Sequence, residues 1–361
     1  MMTMTPIIKV VGNFCNLRCD YCFYHICEQA KPQIMDKVML ESFIKQYLSL
    51  FCGNVFFIWH GGEPLLAGIP FFESVVSFQA MHKKNHVIKN MIQTNATLVN
   101  DDWAQFFKTN NFRVGVSLDG NEESHNRFRK RGSGDGSFSQ VMRGIKILRD
   151  HGIEPGIIQT ITADNLSRTK ENFHFFVNAI GAKGWGTNIY LDTDNSNRAM
   201  LGQSITNKQL TDFLINQIDL WLIQDNVNLR IREIENFISG ILNKKPSSCA
   251  FNGSCTRYFY LECDGRIYPC DRSSGRPDLL LGNLSRQSLQ EILSSTTKSD
   301  YDKQVSNLPS ECLTCEWQKS CNNGCTMNRV GWIGGKYYFC ETRKAIFSYL
   351  RNRITELGFR A

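Results

Sequence analysis

Cysteine spacing constrains this chain more than any other feature. Three cysteines stand near the N-terminus as Cys15-Asn-Leu-Arg-Cys19-Asp-Tyr-Cys22, and most of the others crowd between Cys249 and Cys340. The chain has 14 cysteines in 361 residues, no signal-peptide pattern over Met1–Val10 and no long apolar run. A cytoplasmic location follows as the expectation, and in that reducing compartment thiols do not pair as disulfides. So many free thiols point to metal. With 42% hydrophobic and 21% charged residues the composition is that of an ordinary globular protein. A net charge of +7 permits an acidic partner without calling for nucleic acid. Neither nucleic acid nor membrane is expected as a partner.

Three thiolates on one loop can hold three irons of a cubane [4Fe–4S] cluster. The fourth iron then stays open, as in a catalytic rather than a closed structural metal site. Cys27 or His25 could instead complete a four-ligand zinc knuckle, an alternative that the spacing alone leaves standing.

The first half of the chain alternates short apolar runs with helical patterns. The runs are Ile7–Gly12, Asn54–His60, Val87–Thr94, Phe112–Leu118, Glu154–Ile161 and Trp185–Leu191. The helical patterns are Asp36–Phe51, Ile69–Lys84, Asp101–Asn110, Phe138–His151 and Asn165–Ile180. This alternation predicts an α/β fold with a parallel sheet, read as an open (β/α)6 TIM-like partial barrel. Functional residues in such a fold gather at the C-terminal ends of the strands. Two more helices are expected near Thr206–Gln224 and Ile231–Asn243, a linker over Lys244–Ser248 and a last helix near Glu341–Leu357. The cysteine-rich segment between them shows little helical periodicity. It is expected to build little apolar core and to be held together by metal. The expected divisions are 1–230 for the barrel, 231–248 for a helical linker, 249–340 for a cluster domain and 341–361 for a C-terminal helix.

Trp59-His60-Gly61-Gly62-Glu63-Pro64 ends the second strand pattern, Gln93-Thr94-Asn95-Ala96-Thr97-Leu98 the third and Ser117-Leu118-Asp119-Gly120 the fourth. Glycines let a backbone approach a ligand, and the hydroxyl, amide and carboxylate groups suit a polar cofactor. With the C-x3-C-x2-C loop and Tyr21 before its last cysteine, these motifs resemble the radical S-adenosylmethionine (SAM) superfamily. They are similar to its GGE, QTNGTLL and SLDG elements, with Ala96 where glycine is common. The resemblance implies that SAM's amino and carboxylate groups chelate the open iron. An external one-electron reductant of flavodoxin or ferredoxin type then drives cleavage to methionine and a 5′-deoxyadenosyl radical. It implies SAM contacts from Tyr21, Tyr24, Gly61, Gly62, Glu63, Asn95, Ser117 and Asp119.

Cys255, Gly265 and Cys270, then Cys312-x2-Cys315-x5-Cys321-x3-Cys325, then Cys340, resemble the SPASM domain of radical SAM enzymes that modify peptides and proteins. That resemblance implies two auxiliary [4Fe–4S] clusters, hence three in all. One would use Cys249, Cys255, Cys270 and Cys325, the other Cys312, Cys315, Cys321 and Cys340. Cys263 rivals Cys249 as a ligand, and otherwise Cys27, Cys52 and Cys263 remain buried free thiols. Several zinc sites are the alternative for the whole segment.

The SPASM resemblance implies a peptide or protein substrate. Two branches compete. His60 stands where sulfatase-maturing enzymes usually have Gln, and the run Trp59–Gly68 and the polar segment Asp192–Gln203 also favour a maturase of a ribosomally made peptide, which is the main reading. The second reading is an anaerobic sulfatase-maturing enzyme that makes formylglycine from Cys or Ser. Cys22-Phe23-Tyr24-His25, Cys249–Cys255 and Tyr268-Pro269-Cys270-Asp271 resemble that type and imply Asp271 as general base. A turn cap, or a pair with Arg272 or Arg276, is its structural alternative. Electron transfer through clusters alone is a third class, opposed by the open three-cysteine site and the GGE motif. No room is expected for a leader-gripping domain ahead of residue 7 or beyond the last helix. The peptide-maturase reading therefore expects a separate small recognition protein, or a short motif held at loops 121–136 and 192–203. Arg127, Arg129, Lys130 and Arg131 would draw an acidic partner there.

Overall fold

The computed structural model describes residues 3–22, 24, 33–192, 202–331, 333–356 and 358. Phe23, His25, Cys27 and most of the Asp192–Gln203 segment lie outside the described residues. Contacts gather the chain into two compact units. The first comprises Met1–Ser117, Phe128–Gly156 and Thr256–Asp302, and the second Leu118–Arg127, Ile157–Cys255 and Lys303–Ala361.

In the first unit β1 (Thr5–Lys9), β2 (Gly53–His60), β3 (His86–Thr94) and β4 (Arg113–Ser117) run parallel in that order. Helices α1 (Lys37–Leu50), α2 (Ile69–His82) and α3 (Asp101–Thr109) connect them. Local chemistry sets the helix starts. The Asp36 side chain accepts the Met39 N–H at 2.8 Å, and Asn100 accepts that of Trp103 at 2.9 Å, filling donors that a first helical turn leaves bare. Aromatic side chains dominate the core: Phe43, Tyr47, Phe57 and Phe259 form one cluster, and Phe72, Trp103, Phe107 and Phe112 another.

The cysteine-rich segment departs from expectation. Its strand β8 (Tyr258–Leu261) pairs in parallel with the free edge of β1, Thr5 opposite Tyr258 and Ile8 opposite Leu261. Strands β9 (Arg266–Tyr268) and β10 (Gly282–Asn283) then extend the sheet antiparallel. Phe259, Tyr260, Leu261, Ile267, Leu289 and Ile292 are all fully buried, so this stretch does build apolar core. Its strands are too short to announce themselves by periodicity; pairing with β1 is what buries them.

In the second unit α4 (Glu122–Phe128) precedes three parallel strands, β5 (Gly156–Ile161), β6 (Gly184–Ile189) and β7 (Arg230–Ile231). Helix α5 (Phe138–Asp150) belongs to the first unit. The helix expected over Asn165–Ile180 is broken into a 3₁₀ turn (Asn165–Arg168), α6 (Thr169–His174) and a π turn (Phe175–Ala179) closed by Ile180 N–H donating to Phe175 at 2.9 Å. Phe173 and Phe176, three residues apart on one face, both meet Trp185, at 5.5 and 5.0 Å between ring centres. Helix α7 (Asn207–Gln224) begins with a reciprocal cap between Thr206 and Gln209. Helix α8 (Arg232–Ile241) and the C-terminal helix Cys340–Glu356 pack through Phe237 and Phe347, 4.9 Å apart. Among the described residues no helix is long and apolar enough to cross a membrane.

Candidate active site

The cysteine loop follows β1 directly. A turn closed by Cys22 N–H on Cys19 O at 2.9 Å shapes its end, and the segment after α4 braces its outer side. Arg18 and Asp20 N–H donate to Lys130 O and Phe128 O at 2.7 and 3.0 Å, and Lys130 pairs with Asp20 at 2.9 Å. Tyr21 packs against Phe128, with the Arg129 guanidinium 5.4 Å from its ring centre. Arg131 pairs with Asp135 and Arg127 with Asp164, while Arg129 is buried. Within the basic run, Arg129 and Lys130 thus hold this loop, while Arg127 and Arg131 stay 60% and 42% exposed in surface ion pairs.

At the end of β2, Gly61 and Gly62 take left-handed backbone angles, φ +81° and +50°. The approach they permit is to the protein itself. A Cβ on Gly61 would lie 2.1 Å from Lys9 Cγ, and one on Gly62 2.0 Å from the Phe14 carbonyl oxygen. The next residue, Glu63, donates its N–H to that same Phe14 oxygen at 3.0 Å, locking the motif to the cysteine loop. Its carboxylate is fully buried. It accepts from Leu65 N–H at 3.1 Å, Thr94 Oγ1 at 2.7 Å and Asn95 N–H at 2.7 Å. Burial raises its pKa to about 7 even though those three hydrogen bonds pull it down.

From the end of β3, Asn95 Nδ2 reaches Asn16 Oδ1 at 2.9 Å and Cys15 Sγ at 3.7 Å, while Asn16 donates to Thr97 Oγ1 at 2.8 Å. Ala96 adopts φ +59°, the conformation that explains a glycine preference at this position. Burial, reinforced by the Glu63 charge, pushes the Cys15 thiol up to about 12; a cationic iron centre would reverse that balance. Ser117, at the end of β4, accepts from Gln93 Nε2 at 3.1 Å. Asp119 belongs to the other unit, where it is fully buried and Oδ1 accepts Thr160 N–H at 2.9 Å.

A second buried cluster went unnoticed in the sequence. Lys9, the one charged residue of β1, is 1% exposed. Its ammonium reaches Asn13, Glu262 Oε1 at 3.3 Å and Ser274 Oγ at 3.4 Å, and lies 4.2 Å from the centre of the Tyr24 ring. Ser274 also donates to Glu262. These bonds tie β1 to the short turn that carries Asp271. Burial lowers the Lys9 pKa, and the Glu262 carboxylate opposes that shift. Tyr24 is buried between Lys9, His60 and Tyr260, whose hydroxyl lies 3.4 Å from its own. His60 keeps a buried Nδ1 without a partner, and burial lowers its pKa, holding the ring neutral. A lone Lys inside an apolar strand and a Glu directly after Tyr-Phe-Tyr-Leu were the available signals. Asp271 is partly exposed, and its Oδ1 lies 2.9 Å from Cys270 Sγ.

The remaining cysteines fall into groups. Cys312, Cys315, Cys321 and Cys340 line one cavity of the second unit, beside Trp317, Tyr337 and Arg343. No three His, Cys, Asp or Glu side chains among the described residues converge on a single-ion site. Cys249 hydrogen-bonds Cys255, whose pKa this bond and Thr326 lower to about 6 against burial; Thr326 Oγ1 lies 3.8 Å from Cys255 Sγ. Cys325 directly precedes Thr326, and Cys270 sits in the first unit after β9. Cys263 is buried against Gly12, where a Cβ would come within 3.3 Å of its sulfur. Cys52 is exposed, not buried as expected. The described cysteines are all free thiols.

Comparison with known proteins agrees with this layout. The Radical SAM superfamily model matches residues 9–168, and the SPASM iron–sulfur cluster-binding domain matches residues 249–316. A cysteine-type anaerobic sulfatase-maturating enzyme of Clostridium perfringens is 33% identical, over 99% of both chains. A serine-type enzyme of Bacteroides thetaiotaomicron is 30% identical over 98% of this chain and 90% of its own. The solved structure of native anSMEcpe with bound AdoMet and Cp18Cys peptide superposes with a TM-score of 0.89 at 32% identity, covering 98% of this chain and 99% of that one. The chain is therefore a radical SAM enzyme with an α/β radical SAM domain and a C-terminal SPASM domain, and it belongs to the family of anaerobic sulfatase-maturating enzymes.

Proposed function

We propose that this enzyme oxidises a Cys or Ser side chain of a sulfatase to formylglycine. The observation that carries the reading is likeness along almost the whole chain to enzymes of that activity, one of them at 33% identity over 99% of both sequences. It outweighs His60 and the polar segment after β6, local departures that by themselves favour a maturase of small ribosomal peptides.

Cys15, Cys19 and Cys22 would hold the cluster that binds SAM, with Glu63 receiving the SAM amino group and Asn95 keeping the loop and the end of β3 in register. Tyr21, Tyr24, Ser117 and Asp119 are assigned further SAM contacts. SAM held there would supply, given one electron from an external donor of flavodoxin or ferredoxin type, a 5′-deoxyadenosyl radical for abstraction of one hydrogen atom from the Cβ of the target residue. Asp271 is assigned the proton of the target thiol or hydroxyl, which it must reach within hydrogen-bonding distance. Lys9, Glu262 and Ser274 fix the turn on which Asp271 stands. Cys249, Cys255, Cys270 and Cys325, and Cys312, Cys315, Cys321 and Cys340, are assigned the two auxiliary clusters, which would take up the one electron left after loss of the hydrogen atom and proton; with a Cys target, water would then replace sulfide to give the aldehyde. The many thiols, none of them in a disulfide among the described residues, support a location in the reducing cytoplasm.

The test is anaerobic incubation of the purified, reconstituted enzyme with SAM, dithionite and peptides carrying a sulfatase modification motif, one with Cys and one with Ser at the target. Mass spectrometry should show the aldehyde on at least one, together with 5′-deoxyadenosine and without a second protein. Radical formation with neither peptide oxidised would reject the sulfatase reading, and turnover only when a recognition protein is added would return the peptide-maturase one.

A further inference from the structure

Arg343 stands on the helix Cys340–Glu356, three residues after one of the four cysteines that line the cavity of the second unit, and lines that cavity itself. It is 6% exposed. Its guanidinium stacks on Phe251, 3.4 Å from the ring centre, with the Tyr337 ring centre at 5.1 Å. Nη2 donates to Ala250 O at 3.1 Å, and the guanidinium also hydrogen-bonds the Tyr337 side chain. Nη1 is buried and has no hydrogen-bond partner. A guanidinium presents five donors and never becomes neutral in a protein, and leaving such a donor unmatched in the interior is unfavourable. Stacking on Phe251 and the bond to Ala250 hold the group in one orientation, so it cannot turn away to find water. The cavity wall carries four thiols, the Arg343, Lys336 and Lys344 cations and the Glu311 carboxylate, a lining that suits an anionic, sulfur-rich occupant, and Arg343 is the buried cation among them.

We propose that Arg343 is a positioning and tuning residue for the auxiliary cluster of Cys312, Cys315, Cys321 and Cys340, its Nη1 donating to a sulfur of that cluster and raising its reduction potential. The inference rests on the assignment of that cluster. A hydrogen bond and a fixed positive charge beside cluster sulfur both favour the reduced, more negative state, which is how proteins tune such centres. Arg343 also bonds the carbonyl next to Cys249, so the same side chain ties the backbone of the other cysteine group to this one.

The experiment uses full-length protein carrying Cys15→Ala, Cys19→Ala and Cys22→Ala to silence the SAM-binding cluster, reconstituted anaerobically and titrated with dithionite while electron paramagnetic resonance is recorded. Adding Cys340→Ala identifies the signal belonging to this site; if no signal disappears, the cluster assignment fails and this role with it. In Arg343→Gln the assigned signal should need a potential lower by about 59 mV, equivalent to a tenfold change for a one-electron couple. If Arg343→Gln does not load iron, the same titration is read on Arg343→Lys, where a shift in the same direction but smaller is expected. A merely structural role would lower iron content or thermal stability without moving the midpoint of the clusters that form. An unchanged midpoint in the variant that loads overturns the proposal.

Discussion

Glu63 offers the sharpest quantitative test of how the SAM site is built. Its carboxylate is sealed among three donors with a pKa raised to about 7. The sign follows from that direction. Between the ordinary carboxylate value of 4.5 and about 7 the folded protein binds a proton that the unfolded chain does not. Stability of the SAM-free protein therefore falls as pH rises through this window, by about 3 kcal/mol in all at 1.36 kcal/mol per unit. Binding the SAM amino group needs the ionised form, because protonation turns one acceptor oxygen into a donor. The Glu63 share of SAM affinity should be level above pH 7 and weaken about tenfold for each unit below it, as the proton must be displaced, and release of SAM's own ammonium proton on chelation adds to the fall. At pH 6 the dissociation constant should thus be larger than at pH 8 by at least about tenfold. Glu63→Gln keeps the shape and removes the charge. Losing a charge-assisted hydrogen bond costs about 1.5–3 kcal/mol, roughly 10- to 150-fold in affinity, and the pH profile should flatten. Anaerobic isothermal titration calorimetry of reconstituted protein from pH 5.5 to 8.5 reads both quantities. Wild-type affinity that does not change between pH 6 and 8, or a Gln variant with wild-type affinity, would refute the reasoning.

Asp271→Asn should still release 5′-deoxyadenosine but lose about two or more orders of magnitude in aldehyde yield, because the radical forms before the substrate proton departs; wild-type yield would return Asp271 to a turn cap. Gly62→Ala forces a Cβ to 2.0 Å from the Phe14 carbonyl oxygen at a backbone angle of +50°. It should therefore destabilise the SAM-free protein by about 2–4 kcal/mol, read as a fall in thermal midpoint. A glycine kept only for SAM to approach would leave that midpoint unchanged.

Much of this protein was legible in its sequence because covalent spacing carries chemistry directly. Three thiols within eight residues must share one loop whatever the fold. Likewise, alternating apolar strands and amphipathic helices can bury their faces only as a parallel sheet covered by helices. The placing of Gly61-Gly62-Glu63, Asn95 and Ser117 at strand ends followed from the same alternation. Tertiary structure decided what local pattern cannot encode. Strand β8 reads as an ordinary short run until β1 offers it an edge, which turns part of a cysteine-rich segment into apolar core. Lys9 and Glu262 are 253 positions apart and meet only because that pairing brings their strand ends together. The glycines before Glu63 answer first to Lys9 and to the Phe14 carbonyl, neighbours supplied by β1 and its loop rather than by adjacent sequence. The basic run Arg127–Arg131 has the composition of a docking patch, yet burial of Arg129 and pairing of Lys130 with Asp20 turn its middle into a brace for the cysteine loop. Spacing along the chain determines which groups can act together on one loop; which charges stay free and which become neutralised is fixed only when distant segments exclude water from between them.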